Sequence, residues 1–269
     1  MKIINMSTMF LTDVFKKRSV IYELAKRDFR QQYMGSYLGF VWMFLEPLLF
    51  VFVLYMVFSF GFRTGESGKV PFVLYLITGF ISWLYFADNL SANTNVIRSY
   101  SFLVKKVDFR LSVLPIVTML RVLVPHFFLL VVAVIILWFR GYSPSIYTIQ
   151  IVYYLFAMLA LLLGLGWLTS STSIFVKDVN NLVRVMIQFG FWMTPIVWNI
   201  EIIPLEYRWI INLNPMSYIV MGYRDSLIFQ VPFWHHPIVT FYFWTVTLII
   251  LICGISVYRK LKPHFAEVV

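Results

Sequence analysis

Apolar residues along this chain gather into six long runs with short polar gaps between them: Leu38–Phe60, Phe72–Phe86, Leu111–Trp138, Ile149–Ile174, Leu182–Trp198 and Ile238–Tyr258. A helix needs about 20 residues to cross a ~30 Å hydrocarbon core. Most of the runs reach that length. The pattern predicts an all-α integral membrane fold in a single transmembrane domain over 1–269. Its spans are expected at 38–60, 72–90, 111–138, 149–174, 182–199 and 238–258.

The segments outside the runs have patterns of their own. Over 8–33, Leu11, Phe15, Tyr22, Ala25, Phe29 and Tyr33 recur at helical spacing, and Phe10, Val14, Ile21 and Leu24 widen that face. Lys16, Lys17, Arg18, Lys26, Arg27 and Arg30 supply a basic side. Such a helix lies in the membrane interface. It serves as an anchor for the first span, or also as a docking surface for a cytosolic partner. The cluster at 16–19 is a place where it breaks in two. Residues 96–110 mix Arg98, Lys105, Lys106, Asp108 and Arg110 with Phe102, Leu103, Val104 and Val107. That mixture suits a short surface helix touching another protein, with a plain solvated loop as the alternative. Residues 201–230 contain two half-length apolar pieces split by Asn214–Pro215. They read as an outer re-entrant helical hairpin or as an ordinary outer loop with interfacial aromatics. Non-helical backbone at membrane depth survives only inside protein or beside a water-filled cavity.

Composition turns the pattern into a compartment. At 61% hydrophobic and 13% charged residues, a soluble fold would lack polar surface to cover itself. Sixteen of the twenty-two Lys and Arg residues lie before residue 38, in 87–110, in 175–184 or after 258, and five lie in the alternate gaps. Basic residues favour the cytoplasmic face. Both termini are therefore expected inside, and the +10 net charge reads as topology rather than a nucleic-acid footprint. Membrane lipids with anionic headgroups are the expected partners of those basic edges. The first 37 residues lack the continuous apolar segment of a cleavable signal. Cys253 is the single cysteine, so no intrachain disulfide is expected.

Several runs carry polar or kinking residues that a simple anchor would not need. Pro47 kinks the first span, and Glu46 beside it is costly unless it faces protein or water. The third run holds Pro115, Arg121, Pro125 and His126. Arg121 either pairs with Glu46 or snorkels from the cytoplasmic end. Gly164 and Gly166 allow close helix approach in the fourth.

Enzyme signatures are missing. No phosphate-binding GxxxxGK[ST] loop, GxSxG, HExxH or CxxC motif occurs, and the carboxylates are scattered. His235–His236 are adjacent rather than at metal-ligand spacing, so neither a metal site nor a catalytic residue is expected. Of the nine Trp, sixteen Tyr and twenty-seven Phe, interfacial belts and lipid-facing Phe account for much, and a conduit lining is the alternative for the rest. Their rings offer apolar faces to sugar C–H surfaces, while Tyr and Trp keep a polar handle for hydroxyls.

In order along the chain, these landmarks resemble the membrane-spanning subunit of ABC-2-type polysaccharide exporters for O antigen, capsule or teichoic acid. Gly35-Ser36-Tyr37-Leu38-Gly39-Phe40-Val41-Trp42 followed by Glu46-Pro47 is similar to that family's LGxxW…(N/E)P signature. Lys105-Lys106-Val107-Asp108-Phe109 with Leu114-Pro115 resembles its KKxxFPxxxLP segment, and Phe175-Val176-Lys177-Asp178 its FxRD turn. Thr194-Pro195-Ile196, Asn214-Pro215, Arg224 and the terminal Phe265-Ala266-Glu267 match later landmarks. Arg110 stands where the family usually has Pro, and Lys177 replaces its Arg.

The resemblance implies a homodimeric permease in the bacterial inner membrane, driven by two copies of a cytosolic ABC ATPase. ATP and Mg2+ would belong to that partner, and no cofactor to this chain. It would export undecaprenyl-linked polysaccharide, most simply O antigen. Conduit residues implied by residue type and position are Tyr37, Trp42, Glu46, Tyr55, Arg121, His126, Trp192, Trp198 and Tyr218. Arg27, Arg30, Lys105, Lys106 and Asp108 would couple to the ATPase. Pro204, Tyr207, Trp209, Asn214 and Pro215 would form the periplasmic gate. Two rivals are an ABC-2 permease for a drug or lipid, and a membrane-embedded glycan-modifying acyltransferase that uses His126 or His235.

Overall fold

The computed structural model describes residues 14–33, 37–61, 66–67, 70–104 and 111–268. Apart from a small antiparallel ladder pairing Glu66–Ser67 with Val70–Pro71, the regular structure among these residues is helical. The longer helices are α1 (Arg18–Tyr33), α2 (Trp42–Met56), α3 (Phe72–Ser99), α4 (Leu114–Phe139), α5 (Gln150–Phe175), α6 (Asp178–Met193), α7 (Pro215–Arg224) and α8 (Pro237–Leu261).

Helix α3 is the hub. It touches α4, α5, α6 and α7, and the most apolar window of this span is 72% buried, against 11% for the span that contains α2. The expected second span stops at residue 90, yet the helix runs on to Ser99. The polar residues past the second run divide: Asn89, Asn93 and Thr94 are buried in protein, while Asp88, Ser91 and Asn95 are exposed. Asn89 Nδ2 donates to the Tyr85 carbonyl, and Ser173 Oγ on α5 donates to that of Thr94. A Cβ on Gly166 would sit 3.3 Å from the Asn93 amide, so the small residue lets α5 close over it.

Five helices are long and apolar enough to cross a membrane among the described residues. The expected sixth span, 182–199, differs. Helix α6 has 16 residues, roughly 24 Å, and carries Asp178, Asn180, Asn181, Arg184 and Gln188. It starts where α5 ends. After it the chain turns through Thr194–Pro195 until the Trp198 carbonyl accepts the Tyr75 hydroxyl, 3.3 Å away at the opposite end of α3. The run therefore traverses the bundle as a short helix plus a non-helical turn.

Two ends of the bundle are well defined. At one, Ile97, Tyr100, Leu111, Trp167, Ile174, Tyr258 and Phe265 form a single cluster, and Ile21 and Ala25 of α1 pack on Val113 and Val117 beside it. The amphipathic face of α1 is thus Val14, Ile21, Leu24 and Ala25. Phe15 and Tyr22, expected on that face, are exposed, and residues 8–13 lie outside the described residues. A turn at Lys17 interrupts the helix inside the 16–19 cluster. At the opposite end, the Gln150 side chain clips the chain before α8, donating to the Val231 carbonyl and accepting from the Phe233 amide.

Helices α5 and α8 meet backbone to backbone. A Cβ added to Gly254 would stand 2.3 Å from the Gly164 carbonyl oxygen. Lipid offers no hydrophobic drive between helices, so close approach at small residues supplies the contact.

Candidate functional site

Asn214 starts helix α7. Its side chain caps α7 by accepting from the Met216 amide at 3.0 Å, and Pro215 follows at the first helical position. The same Asn214 donates to Thr194 Oγ1 at 2.8 Å, tying α7 to the turn after α6. Nearly every residue of α7 is buried. Arg224, at its last position, is wholly enclosed. Its guanidinium donates to the carbonyls of Tyr75 (3.2 and 3.3 Å), Ile196 (2.9 Å) and Pro195. One cation thereby satisfies carbonyls left open where α6 breaks. Gly79 makes room for it, because a Cβ there would meet Arg224 Nη2 at 2.5 Å.

On the other side of α3 lies a cleft of about 770 Å³, walled by α2, α3, α4 and α6 and closed by the end of α1. Its wall is a chain of aromatic rings. Phe50 stacks on Phe80 at 5.0 Å, Phe191 stands edge-on to Phe80, Trp83 and Trp192, and Trp42 lies opposite. The remaining surface is polar. Glu46, Asp88 and Arg121 line it together with Gln32, Tyr33, Ser91, Asn95 and Gln188. Glu46 and Arg121 make no direct ion pair among the described residues, and Arg121 Nε is buried without a hydrogen-bond partner. Burial, and secondarily the Asp88 carboxylate, hold the Tyr33 phenol above its ordinary pKa, so it enters the cleft as a neutral donor.

Of the nine residues assigned to a conduit, the structure gathers Trp42, Glu46, Arg121 and Trp192 here. Trp198 braces the wall from outside by donating to the Trp192 carbonyl at 2.9 Å. The other four lie off the cleft. Tyr37 is fully exposed on the turn before α2, and Tyr55 packs edge-on to Phe60 farther along that helix. His126 is buried, with Nε2 3.0 Å from the Tyr223 hydroxyl on α7. Tyr218 is buried in a network with Tyr153 (2.9 Å) and Thr240 (3.1 Å). Alternation and residue type could not separate lining rings from packed ones, because both are aromatic positions in apolar helices.

At the end of the bundle where α1 packs, Arg27 lies 3.6 Å from Asp28 and over the rings of Tyr100 and Phe102. The Tyr100 hydroxyl donates to Asp28 at 2.5 Å. Arg98 donates to the Ser173 and Ile174 carbonyls at the C-terminal end of α5, where a cation is favoured. Arg30 is exposed beside Lys26. Lys105, Lys106 and Asp108 lie outside the described residues. Asp28 and Tyr100 were not among the expected coupling residues. Their signal was an acid, Asp28, set between the basic residues Arg27 and Arg30 of α1.

The outer residues form a separate group. Pro204 precedes a short turn through Tyr207, and both Tyr207 and Trp209 are exposed. Asn214 and Pro215 begin α7 as described, while Arg208 donates back to the Ile203 and Glu201 carbonyls. Among the described residues no group of His, Cys, Asp and Glu is arranged to hold a metal.

A family model described as ABC-2 type transporter matches residues 19–228. The chain is 27% identical over 247 residues to an O-antigen export system permease protein RfbA from Klebsiella pneumoniae, covering 91% of this chain and 93% of that one. It is 22% identical over 263 residues to the protein of the same name from Myxococcus xanthus, covering 95% and 97%. It is also 22% identical over 269 residues to the capsule polysaccharide export inner-membrane protein CtrC of Neisseria meningitidis serogroup A, covering 94% and 95%.

Proposed function

Because this chain belongs to the ABC-2 type transporter family, we propose that it is the permease half of an exporter moving undecaprenyl-linked polysaccharide, O antigen in the first instance, across the inner membrane. The observation that carries the reading is the cleft. Aromatic walls with a hydroxyl-matching polar floor suit a sugar chain, whose rings have apolar C–H faces and polar rims. The relatives named as O-antigen or capsule exporters over nearly the whole chain support the same substrate class.

Two copies would build the path. Helices α2 and α6 flank the cleft and leave large apolar residues uncovered, among them Leu49, Phe52, Val53, Met186 and Phe189. A second protomer laid against these faces turns two clefts into one enclosed conduit. Energy would come from two copies of a cytosolic ABC ATPase, which would bring ATP and Mg2+. The basic outer face of α1, with Lys26 and Arg30 exposed, is the surface offered to it. Motion reaching α1 would pass through Asp28 and Tyr100 into α3, the wall of the cleft.

The acyltransferase reading needs an accessible catalytic His. His126 is enclosed and bonded to Tyr223, which argues against its use and leaves that reading with the exposed His235 alone. The deciding experiment is a deletion strain. Surface polysaccharide should vanish while lipid-linked polymer accumulates inside, and return when the gene is restored. Normal surface polymer in the deletion strain would overturn the proposal.

A further inference from the structure

We propose that the cleft is a charge filter: it admits uncharged, polyhydroxylated chains and rejects polymers that carry a carboxylate or phosphate in each repeat. This rests on the export reading above and narrows its substrate class.

The filter is made of the lining charges. Two carboxylates, Glu46 and Asp88, face the cleft with one guanidinium, Arg121. Both acids are exposed, whereas Arg121 is partly covered and its Nε is buried. The surface that a passing polymer meets is therefore net negative. Ionised carboxylates only accept hydrogen bonds. A sugar hydroxyl donates to them; a uronate or phosphodiester has no donor to offer at its charge and is repelled. The repulsion is strong because apolar aromatic walls confine the field. The rest of the polar lining, Gln32, Ser91, Asn95 and Gln188, is neutral and matches hydroxyls as donor and acceptor.

The inner mouth has the opposite sign. A hollow of about 430 Å³ beside α1 contains Arg27 and Arg121 with Asp28, and it shares Gln32, Ala92, Asn95 and Arg121 with the cleft. The two spaces adjoin along these residues, and Arg121 stands between them. A single phosphate-bearing lipid end finds its cations at this mouth. The repeats that follow it must pass Glu46 and Asp88, so discrimination falls on the polymer and not on its anchor.

The test uses cells deleted for the chain and complemented with it and its ATPase. They are supplied with enzymes that build either a neutral mannose homopolymer or a polymer with a uronic acid in each repeat, both on the same lipid carrier. Surface polymer is read by flow cytometry, with chain level checked by immunoblot. The neutral polymer should reach the surface at least about tenfold more efficiently than the uronate polymer, the scale of one like-charge clash. Glu46→Gln with Asp88→Asn should raise the uronate-to-neutral ratio at least about fivefold. Gln188→Lys, at an exposed position of the same cleft, should raise it too and remains readable if the double variant fails to fold. Equal export of both polymers by the unsubstituted chain overturns the filter and leaves the export reading intact. Export of neither overturns the export reading itself. A ratio unmoved by the variants overturns the assignment to these residues.

Discussion

The Tyr100 hydroxyl at the foot of α3 donates a hydrogen bond to the Asp28 carboxylate on the surface helix α1. Among the described residues this is a direct polar link between the α1 surface and the helix that walls the cleft. Hydrogen bonds to charged groups contribute about 1.5–3 kcal/mol. Tyr100→Phe keeps the ring and removes only the link. Stimulation of the partner ATPase by substrate should fall several-fold in that variant, while chain level stays normal. Stimulation equal to that of the unsubstituted chain would remove this pair from the coupling route.

The same pair has a defined pH response. Burial, and then the hydrogen bond and charge of Asp28, raise the Tyr100 phenol above its ordinary 10.0. Folded and unfolded chains both hold the neutral phenol below pH 10, so this group gives no pH dependence there. Above pH 10 the unfolded chain loses the proton first, and stability falls as pH rises. Thermal unfolding of the purified protein should show a Tyr100→Phe difference that is constant from pH 6 to 9 and shrinks above pH 10. A difference that changes within the lower range would contradict the assignment.

Arg224 is expected to hold α7 in place. Arg224→Met leaves the Pro195 and Ile196 carbonyls without their donor, while the Tyr75 carbonyl keeps the Thr78 hydroxyl at 3.1 Å. Unsatisfied buried groups cost about 1–3 kcal/mol each. The melting temperature in detergent should drop by several degrees. Arg224→Lys should recover only part of it, since an ammonium cannot span three carbonyls as a planar fork does. Full recovery with Lys would show that charge alone matters here.

Close helix contact makes a sharp pair of substitutions. At Gly254 an added Cβ meets backbone, the Gly164 carbonyl at 2.3 Å, and at Gly61 it meets nothing within 4 Å. Gly254→Ala must push α8 off α5, at a cost of about 1–3 kcal/mol for overfilling. Folded yield by size-exclusion chromatography should fall for Gly254→Ala and hold for Gly61→Ala.

The lining rings separate from the merely exposed ones. Trp192 and Trp42 face the cleft, whereas Tyr37 stands clear of it. Stacking on one ring contributes about 0.5–1.5 kcal/mol. Trp192→Ala or Trp42→Ala should slow export roughly threefold to tenfold. Tyr37→Ala should leave it unchanged. The readout is surface polymer after induction, and equal rates for all three would detach the aromatic wall from transport.

The kinks, breaks and small residues that interrupt the runs were legible in the sequence because each is a local covalent property. Asn214–Pro215 caps a helix wherever it sits, and Gly164 permits contact whatever lies opposite. The cleft was legible only in part. Trp42, Glu46, Arg121 and Trp192 were placed by being polar or amphipathic in apolar helices. Trp83, Asp88 and Phe191 were not among the expected conduit residues, because residue type does not say which face of a helix meets the cleft.

The sequence by itself determined that the chain lives in a membrane, with its basic edges mostly to one side. Burying apolar side chains in lipid needs no partner, so counting them suffices. Tertiary structure alone decided which aromatic rings line a space and which fill one, and that Arg224 closes a break from within the protein. It also decided that Glu46, Asp88 and Arg121 share one cleft. Those outcomes depend on which helix faces stand opposite each other across residues 46 to 224, a relationship that no local pattern encodes.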